Sequence, residues 1–460
     1  MIPLGLSEVA LLVGARSRLE GTVTGEVRVD SRLVQPGDLF VALPGERVDG
    51  HDHVQAAAAA GAVAALVTRE VPSDVPLLVV PDALSALQDL AAAVFGRDQP
   101  LTVGVTGSSG KTSTKDLLGQ VLGAFGDTLF PEGSFNNELG LPLTALRRTA
   151  ATRYAALEYS ARGVGHIAFL CGIVQPDVAV VLNVGSAHLG EFGSKAAIAQ
   201  AKGELVEAAR QLAVLNADDP LVLGMASRTE QPVITFGSGA DADVRGEGLE
   251  IDADGRARFS LVAPQGSADV ALTVVGEHQA SNALAVATAL LGTVTDDVER
   301  VAALLSAATP LSRWRMEVAE RSDGVTVVND AYNANPDSMR AALKTLAVMS
   351  RAKTRRTWAV LGPMAELGED SRQAHMDLGR FLVRLDPTAL VVVGKEAGGI
   401  YAGAVLEGSW GGESVHVDDA DEALALLRAG VRPGDVVLVK ASRSAGLEKV
   451  AAALLEEDTP

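Results

Sequence analysis

Residues 101–105 form a short apolar run that leads straight into Thr106-Gly107-Ser108-Ser109-Gly110-Lys111-Thr112-Ser113-Thr114, and a helical stretch toward Leu122 follows. Strand, glycine loop and helix in that order commit this part of the chain to a parallel sheet covered by helices. Glycines let such a loop fold back so that its backbone N–H groups point inward at phosphate oxygens, and the helix N-terminus adds positive potential. Gly107, Ser108, Ser109, Gly110 and Ser113 are therefore the expected cradle. Lys111 is expected on the β- and γ-phosphates and Thr112 on Mg²⁺. The pattern is a short G-x-x-G-K-T, because the first glycine of the full Walker form would fall at Val105. A glycine-rich turn with an incidental lysine is the bland alternative, and the strand and helix on either side argue against it. ATP is the expected ligand.

With 460 residues the chain exceeds what one core organises, and a length of roughly 150 residues per domain suggests three. Residues 1–98 alternate β-rich runs (38–43, 64–68, 77–80) with alanine-rich helical stretches (54–60, 83–95), which reads as a small α/β domain. It ends in the turn-rich Gly96-Arg97-Asp98-Gln99-Pro100. The second domain, 99–310, continues the βα alternation through strands over 178–184, 212–216 and 233–236. Within it a hairpin over 244–262, turning at Asp252-Ala253-Asp254-Gly255, precedes a helix near Asn282. The remainder, 311–460, repeats strand then helix with apolar strands over 325–328, 358–361, 390–393 and 436–439, a second, Rossmann-like doubly wound unit.

A net charge of −19 opposes non-specific attachment to nucleic acid or to an anionic membrane, so any phosphate ligand needs local cations. The single cysteine, Cys171, excludes an intrachain disulfide; it lies in an apolar stretch, fits a reducing compartment and reads as a buried structural thiol. Residues 9–13 are apolar but follow Glu8, without the basic region or cleavage site of a signal peptide. No apolar run reaches the roughly 18 residues of a membrane helix. A cytoplasmic protein without membrane insertion is expected.

The short loop resembles that of the Mur ligase family, and the resemblance extends across nearly the whole chain. Asn136-Asn137-Glu138-Leu139-Gly140-Leu141-Pro142-Leu143-Thr144 is similar to the segment that follows the loop in that family, and Asn137 joins the expected nucleotide contacts. Leu157-Glu158-Tyr159-Ser160-Ala161 resembles the segment whose glutamate binds magnesium. Asn183-Val184-Gly185-Ser186-Ala187-His188-Leu189 resembles the one with a second-metal histidine, and Ala201-Lys202-Gly203-Glu204 the one with a carbamylated lysine. The likeness further implies that Asn282 reaches adenine, Arg315 phosphate and Asp330 ribose. Joining a carboxylate to an amine through an acyl phosphate brings several anions together. Two Mg²⁺ ions, one on Thr112 and Glu158 and one on His188 and carbamylated Lys202, would offset that repulsion. Taken singly, Glu158 and His188 read as ordinary strand-end residues and Lys202 as a solvated helix lysine. Their order behind the loop reverses that reading.

Asp30-Ser31-Arg32, followed by Gly37-Asp38-Leu39-Phe40-Val41-Ala42-Leu43-Pro44-Gly45 and Asp49-Gly50-His51, resembles the family's UDP-sugar-binding domain, which makes Asp30, Ser31 and Arg32 nucleotide-sugar candidates. An ordinary strand-end turn is the alternative. In the last domain Asn329-Asp330-Ala331-Tyr332-Asn333-Ala334-Asn335-Pro336-Asp337-Ser338-Met339 is similar to the members that add a D-alanyl-D-alanine dipeptide, and the D-N-P-R signature of diaminopimelate-adding members is absent. Gly362-Pro363-Met364-Ala365-Glu366-Leu367-Gly368 and Lys440-Ala441-Ser442-Arg443 point the same way, with Ala441 in place of a usual glycine and Gln279 in place of a usual asparagine. Asn333, Asn335 and Asp337 are the dipeptide candidates; Asn335-Pro336 also reads as a helix start. The resemblance implies a monomeric ligase acting on a UDP-N-acetylmuramoyl-tripeptide and D-alanyl-D-alanine. Another Mur-type or folylpolyglutamate-like amino-acid ligase and an ATP-hydrolysing switch are the competing readings.

Overall fold

The computed structural model describes residues 1–15, 19–45, 48–186, 189–353, 355–408 and 413–456. The first domain holds a parallel sheet in the order Val27–Arg28, Leu39–Val41, Ala64–Val67, Leu77–Val79. Its helix Ala83–Phe95 starts on Asp82, whose carboxylate accepts from the Ser85 N–H at 2.6 Å, and buries Ala83, Leu87, Leu90, Ala91 and Val94 at helical spacing. Those side chains join one apolar cluster with Leu141, Leu157, Ile167 and Leu170, so the first two domains share a continuous core.

The central sheet has nine strands in the order Gly266–Val275, Arg256–Ala263, Val244–Ile251, Val233–Gly237, Leu212–Asn216, Val178–Val181, Leu101–Thr106, Tyr154–Glu158, Thr128–Leu129. Pairing is parallel from Thr128–Leu129 as far as Val244–Ile251, and the last two strands are antiparallel. The expected hairpin is present, with Gly255 at φ +81 in its turn, but it continues the main sheet and a third strand, Gly266–Val275, follows it. That strand opens with Gly-Ser-Ala-Asp and alternates only beyond it, which hides its period. The Leu101–Thr106 strand lies beside Val178–Val181 and Tyr154–Glu158, so three loops leave the same sheet edge together.

In the last domain six strands run in the order Glu317–Glu320, Thr326–Asn329, Val436–Lys440, Thr357–Leu361, Ala389–Val393, Ser414–Val417, all parallel except the first pair. Apolar clusters cover both faces, as continuous apolar strands require. The carboxyl ends of Thr326–Asn329, Val436–Lys440 and Thr357–Leu361 open a crevice at the point where the strand order reverses.

Candidate active site

The phosphate loop sits between Leu101–Thr106 and the helix Lys111–Gly123. Gly110 is the helix N-cap at φ +84, and a side-chain Cβ there would stand 2.6 Å from Asn282 Oδ1, so both conformation and space demand glycine. Asn183 Oδ1 accepts from the N–H groups of Ser108 and Ser109, both at 3.0 Å. Its Nδ2 donates to Ser109 O at 3.2 Å. The carboxamide therefore occupies the loop donors that suit a phosphate. Lys111 Nζ donates back to Gly107 O at 2.7 Å; burial pushes its pKa down, with Glu158 pulling it up and Arg315 adding to the fall.

Around this loop, Thr112 Oγ1 lies 2.9 Å from Ser134 Oγ, which also accepts from Arg315 Nη2 at 2.8 Å. Glu158 is fully buried; Oε2 accepts from Asn136 Nδ2 at 3.0 Å, while Oε1 has no hydrogen-bond partner. An acidic oxygen buried without a partner is costly unless a cation faces it, so the donor set fits a hard cation. Among the described residues no three His, Cys, Asp or Glu side chains converge, and Thr112 and Glu158 both line the cleft beside the loop. Asn137 lines the cleft and its Oδ1 accepts from the Gly140 N–H at 2.8 Å, at the start of the helix Gly140–Ala145.

Lys202 is buried on the helix Lys195–Ala208, and among the described residues its amine has no acceptor or ion pair. Burial first, then the charge of Lys111, push its pKa well down. Its neighbour Glu204 caps another helix, accepting from the N–H groups of Gly165 and Ala168. His188 lies outside the described residues.

Across the cleft, Asp330 Oδ2 pairs with Lys440 Nζ at 2.7 Å and Oδ1 accepts from the Met316 N–H at 3.1 Å; Lys440 also donates to Asn333 O at 2.8 Å. Asn335 caps the helix Pro336–Lys353, its Oδ1 accepting from the Ser338 N–H at 2.9 Å. Asp337 Oδ2 accepts from both the N–H and the hydroxyl of Ser186 at 2.9 Å, tying the last domain to the central one. Ser186 is in turn close to the loop, since the Gly185 N–H donates to Ser108 Oγ at 2.8 Å.

The structure thus brings Ser108 to Ser113, Asn137, Glu158 and Arg315 into one cleft of about 530 Å³ with Asp330, Asn333, Asn335 and Asp337. Asn282 stands behind Gly110, buried, with Nδ2 given to Gln279 Oε1 at 2.9 Å. Asp30, Ser31 and Arg32 do not line this cleft. They form a turn in the first domain, where Asp30 caps Ser31–Leu33 and pairs with Arg32 at 2.6 Å. The hydrogen bonds from Arg32 hold the Asp30 carboxyl down to about 2. Cys171 is buried and its thiol is pushed up to about 12 by that burial, an inert group. Sequence reasoning left Ser134, Asn183 and Lys440 without roles. Lys440 ends a run of apolar residues as a lone cation, a signal that marks a strand-end site; a serine in a glycine-containing loop offers no such mark.

Three family models match the chain: "Mur ligase family, catalytic domain" over 25–94, "Mur ligase middle domain" over 105–290, and "Mur ligase, glutamate ligase domain" over 314–443. The UDP-N-acetylmuramoyl-tripeptide–D-alanyl-D-alanine ligase of Mycobacterium bovis is 49% identical, over 100% of this chain and 99% of its own. The crystal structure of MurF from Acinetobacter baumannii superposes with a TM-score of 0.88 at 32% identity, covering 99% of both chains. MurF from Thermotoga maritima in complex with ADP superposes at 0.81 with 31% identity, covering 95% of this chain and 98% of that one.

Proposed function

Because the chain belongs to the Mur ligase family, we propose that it is an ATP-dependent amide ligase that adds D-alanyl-D-alanine to a UDP-N-acetylmuramoyl-tripeptide, forming the pentapeptide precursor of peptidoglycan. The observation that carries this reading is the single cleft in which the phosphate loop of the central sheet faces the carboxyl ends of the C-terminal strands. ATP and an amine substrate can meet there.

The peptide carboxylate attacks the γ-phosphorus, the bond to the β–γ bridging oxygen breaks, and ADP leaves an acyl phosphate. The dipeptide amine then attacks the acyl carbon, phosphate departs with the C–O electron pair, and the amine loses a proton. The N–H groups of Ser108 and Ser109, which Asn183 satisfies in this structure, turn to phosphate oxygens, and Lys111 exchanges Gly107 O for the γ-phosphoryl. Magnesium, when bound, neutralises the converging anions. Thr112 and Glu158 would hold one ion. A second would lie between His188 and a carbamate on Lys202. The buried amine of Lys202 suits that change, because a neutral amine can add CO₂ and lose a proton, becoming an anion. Asn282 then serves the adenine, Asp330 the ribose and Arg315 the phosphates, with Asn137 a further nucleotide contact. Asn333 and Asn335 face the dipeptide, and Asp30, Ser31 and Arg32 the UDP moiety. No helix among the described residues is long and apolar enough to cross a membrane. On the proposed reading the chain acts as a monomer in the cytoplasm on a nucleotide-linked substrate.

The test uses tripeptide carboxylate labelled with ¹⁸O. An acyl phosphate carries one labelled oxygen into the released phosphate; an ATP-hydrolysing switch releases unlabelled phosphate, and that result would overturn the proposal.

A further inference from the structure

Ser134 joins two domains through one oxygen: Arg315 Nη2 donates to its Oγ at 2.8 Å, and Thr112 Oγ1 lies 2.9 Å from the same atom. The segment that carries it is pinned on both sides. Ahead of it, the fully buried Lys115 donates to Pro131 O at 2.5 Å; behind it, Asn136 donates to Glu158 Oε2 at 3.0 Å. The partner from the last domain is fixed as well. The Arg315 guanidinium lies 4.1 Å from the centroid of the Tyr332 ring. Its neighbours Trp314 and Met316 hold φ of +60 and +50, a region that non-glycine residues occupy only where their surroundings impose it. Glu317 supplies part of that constraint by accepting from the Trp314 N–H at 2.9 Å, and Asp330 another part through the Met316 N–H.

Resting on the Mg²⁺·nucleotide reading above, we propose that Ser134 is a positioning residue that aims the Thr112 hydroxyl at Mg²⁺ and docks Arg315 beside the phosphates. A threonine hydroxyl offers a metal its lone pair only when its proton points elsewhere, and Ser134 Oγ is the acceptor within reach. A serine oxygen has two lone pairs, so it can accept from Thr112 and Arg315 at once. Its own proton then stays available to a phosphate oxygen in the cleft. Because one atom serves both partners, metal binding and the docking of Arg315 support each other. A serine that only shaped its loop would affect nucleotide binding equally with and without metal.

The experiment is calorimetric titration of the full chain with ADP, with and without Mg²⁺, for the native protein, Ser134→Ala and Ser134→Thr. The Ala variant should lose about tenfold of the affinity gain that Mg²⁺ confers, the lower end of the effect expected when a group behind a metal ligand is removed. Its thermal unfolding should match the native protein, its metal-free ADP affinity should fall only by the smaller share that the docking of Arg315 contributes, and Thr, which keeps the hydroxyl, should restore the gain. An Ala variant with the full Mg²⁺ gain, or with equal losses in both titrations, would overturn the relay. A native chain whose ADP binding ignores Mg²⁺ would overturn the nucleotide reading, and the relay with it.

Discussion

Among the described residues Arg148 has no carboxylate partner, although only 3% of it is exposed. Its guanidinium instead donates to backbone carbonyls: Nη1 to Val94 O (3.3 Å), Phe95 O (2.8 Å) and Arg97 O, and Nη2 to Asp98 O (3.1 Å). These are the unpaired carbonyls at the end of the helix Ala83–Phe95 and the first residues of the connection to the central sheet. A cation belongs there because the helix dipole is negative at that end. Burial lowers the Arg148 pKa and Asp98 opposes that, and the carbonyls take the place of the water that the guanidinium has lost. Replacing it with methionine keeps much of the apolar stem but orphans the carbonyls. Hydrogen bonds to charged groups contribute about 1.5–3 kcal/mol each, and the contacts share two nitrogens, so the loss is about 3–5 kcal/mol. At about 1.4 kcal/mol per factor of ten, amide protection near residues 94–102 should fall by about 10²- to 4 × 10³-fold in hydrogen-exchange mass spectrometry. The strand Val436–Lys440 should be unchanged. Arg148→Lys, with one nitrogen for several acceptors, should fall between. Loosening this joint should raise KM for the UDP-linked substrate and leave ADP affinity alone. Native protection at residues 94–102 in Arg148→Met would refute the reasoning.

Lys111→Ala should slow ligation by about 10²- to 10³-fold at saturating ATP, the cost of one preorganised charge contact, and near-native turnover would remove the phosphate-loop assignment. Lys202→Ala should be nearly inactive and partly restored by acetate, which supplies the missing anionic oxygens; full activity of that variant in CO₂-depleted buffer would remove the carbamate from the mechanism. Asp337→Ala, which breaks both bonds to Ser186, should lower kcat/KM for the dipeptide by about tenfold and Ser186→Ala, which keeps the backbone N–H bond, by less, with the double variant no worse than Asp337→Ala. Additive losses would show that Asp337 acts on the dipeptide independently of Ser186.

The phosphate loop was readable in sequence because everything that defines it is local: the strand, the glycines and the helix start are contiguous. The inner strands of the last domain were readable for a different reason. They are buried on both faces, so Thr357–Leu361, Ala389–Val393 and Val436–Lys440 appear as unbroken apolar runs. Edge strands follow the opposite logic. Glu317–Glu320 and Ser414–Val417 each expose part of their length and mix polar with apolar residues, so no run stands out. Val27–Arg28 is too short to show a period. In the site, Lys202 on a helix gave no sign of burial, since that depends on the sheet packed beneath it. The contacts that assemble the cleft are remote in sequence: Arg315 meets Ser134 across 181 residues and Ser186 meets Asp337 across 151. Asp30 and Arg32 carry a binding-like pattern that this structure satisfies internally.

The central claim is tested most directly by mass spectrometry of a reaction holding the protein, ATP, Mg²⁺, a UDP-N-acetylmuramoyl-tripeptide and equal amounts of D-alanyl-D-alanine, D-alanine and diaminopimelate. The account predicts one product, heavier than the tripeptide by a single dipeptide residue pair, with ADP formed in equal amount. Products carrying the single amino acids at comparable yield, or ADP without any adduct, would contradict it.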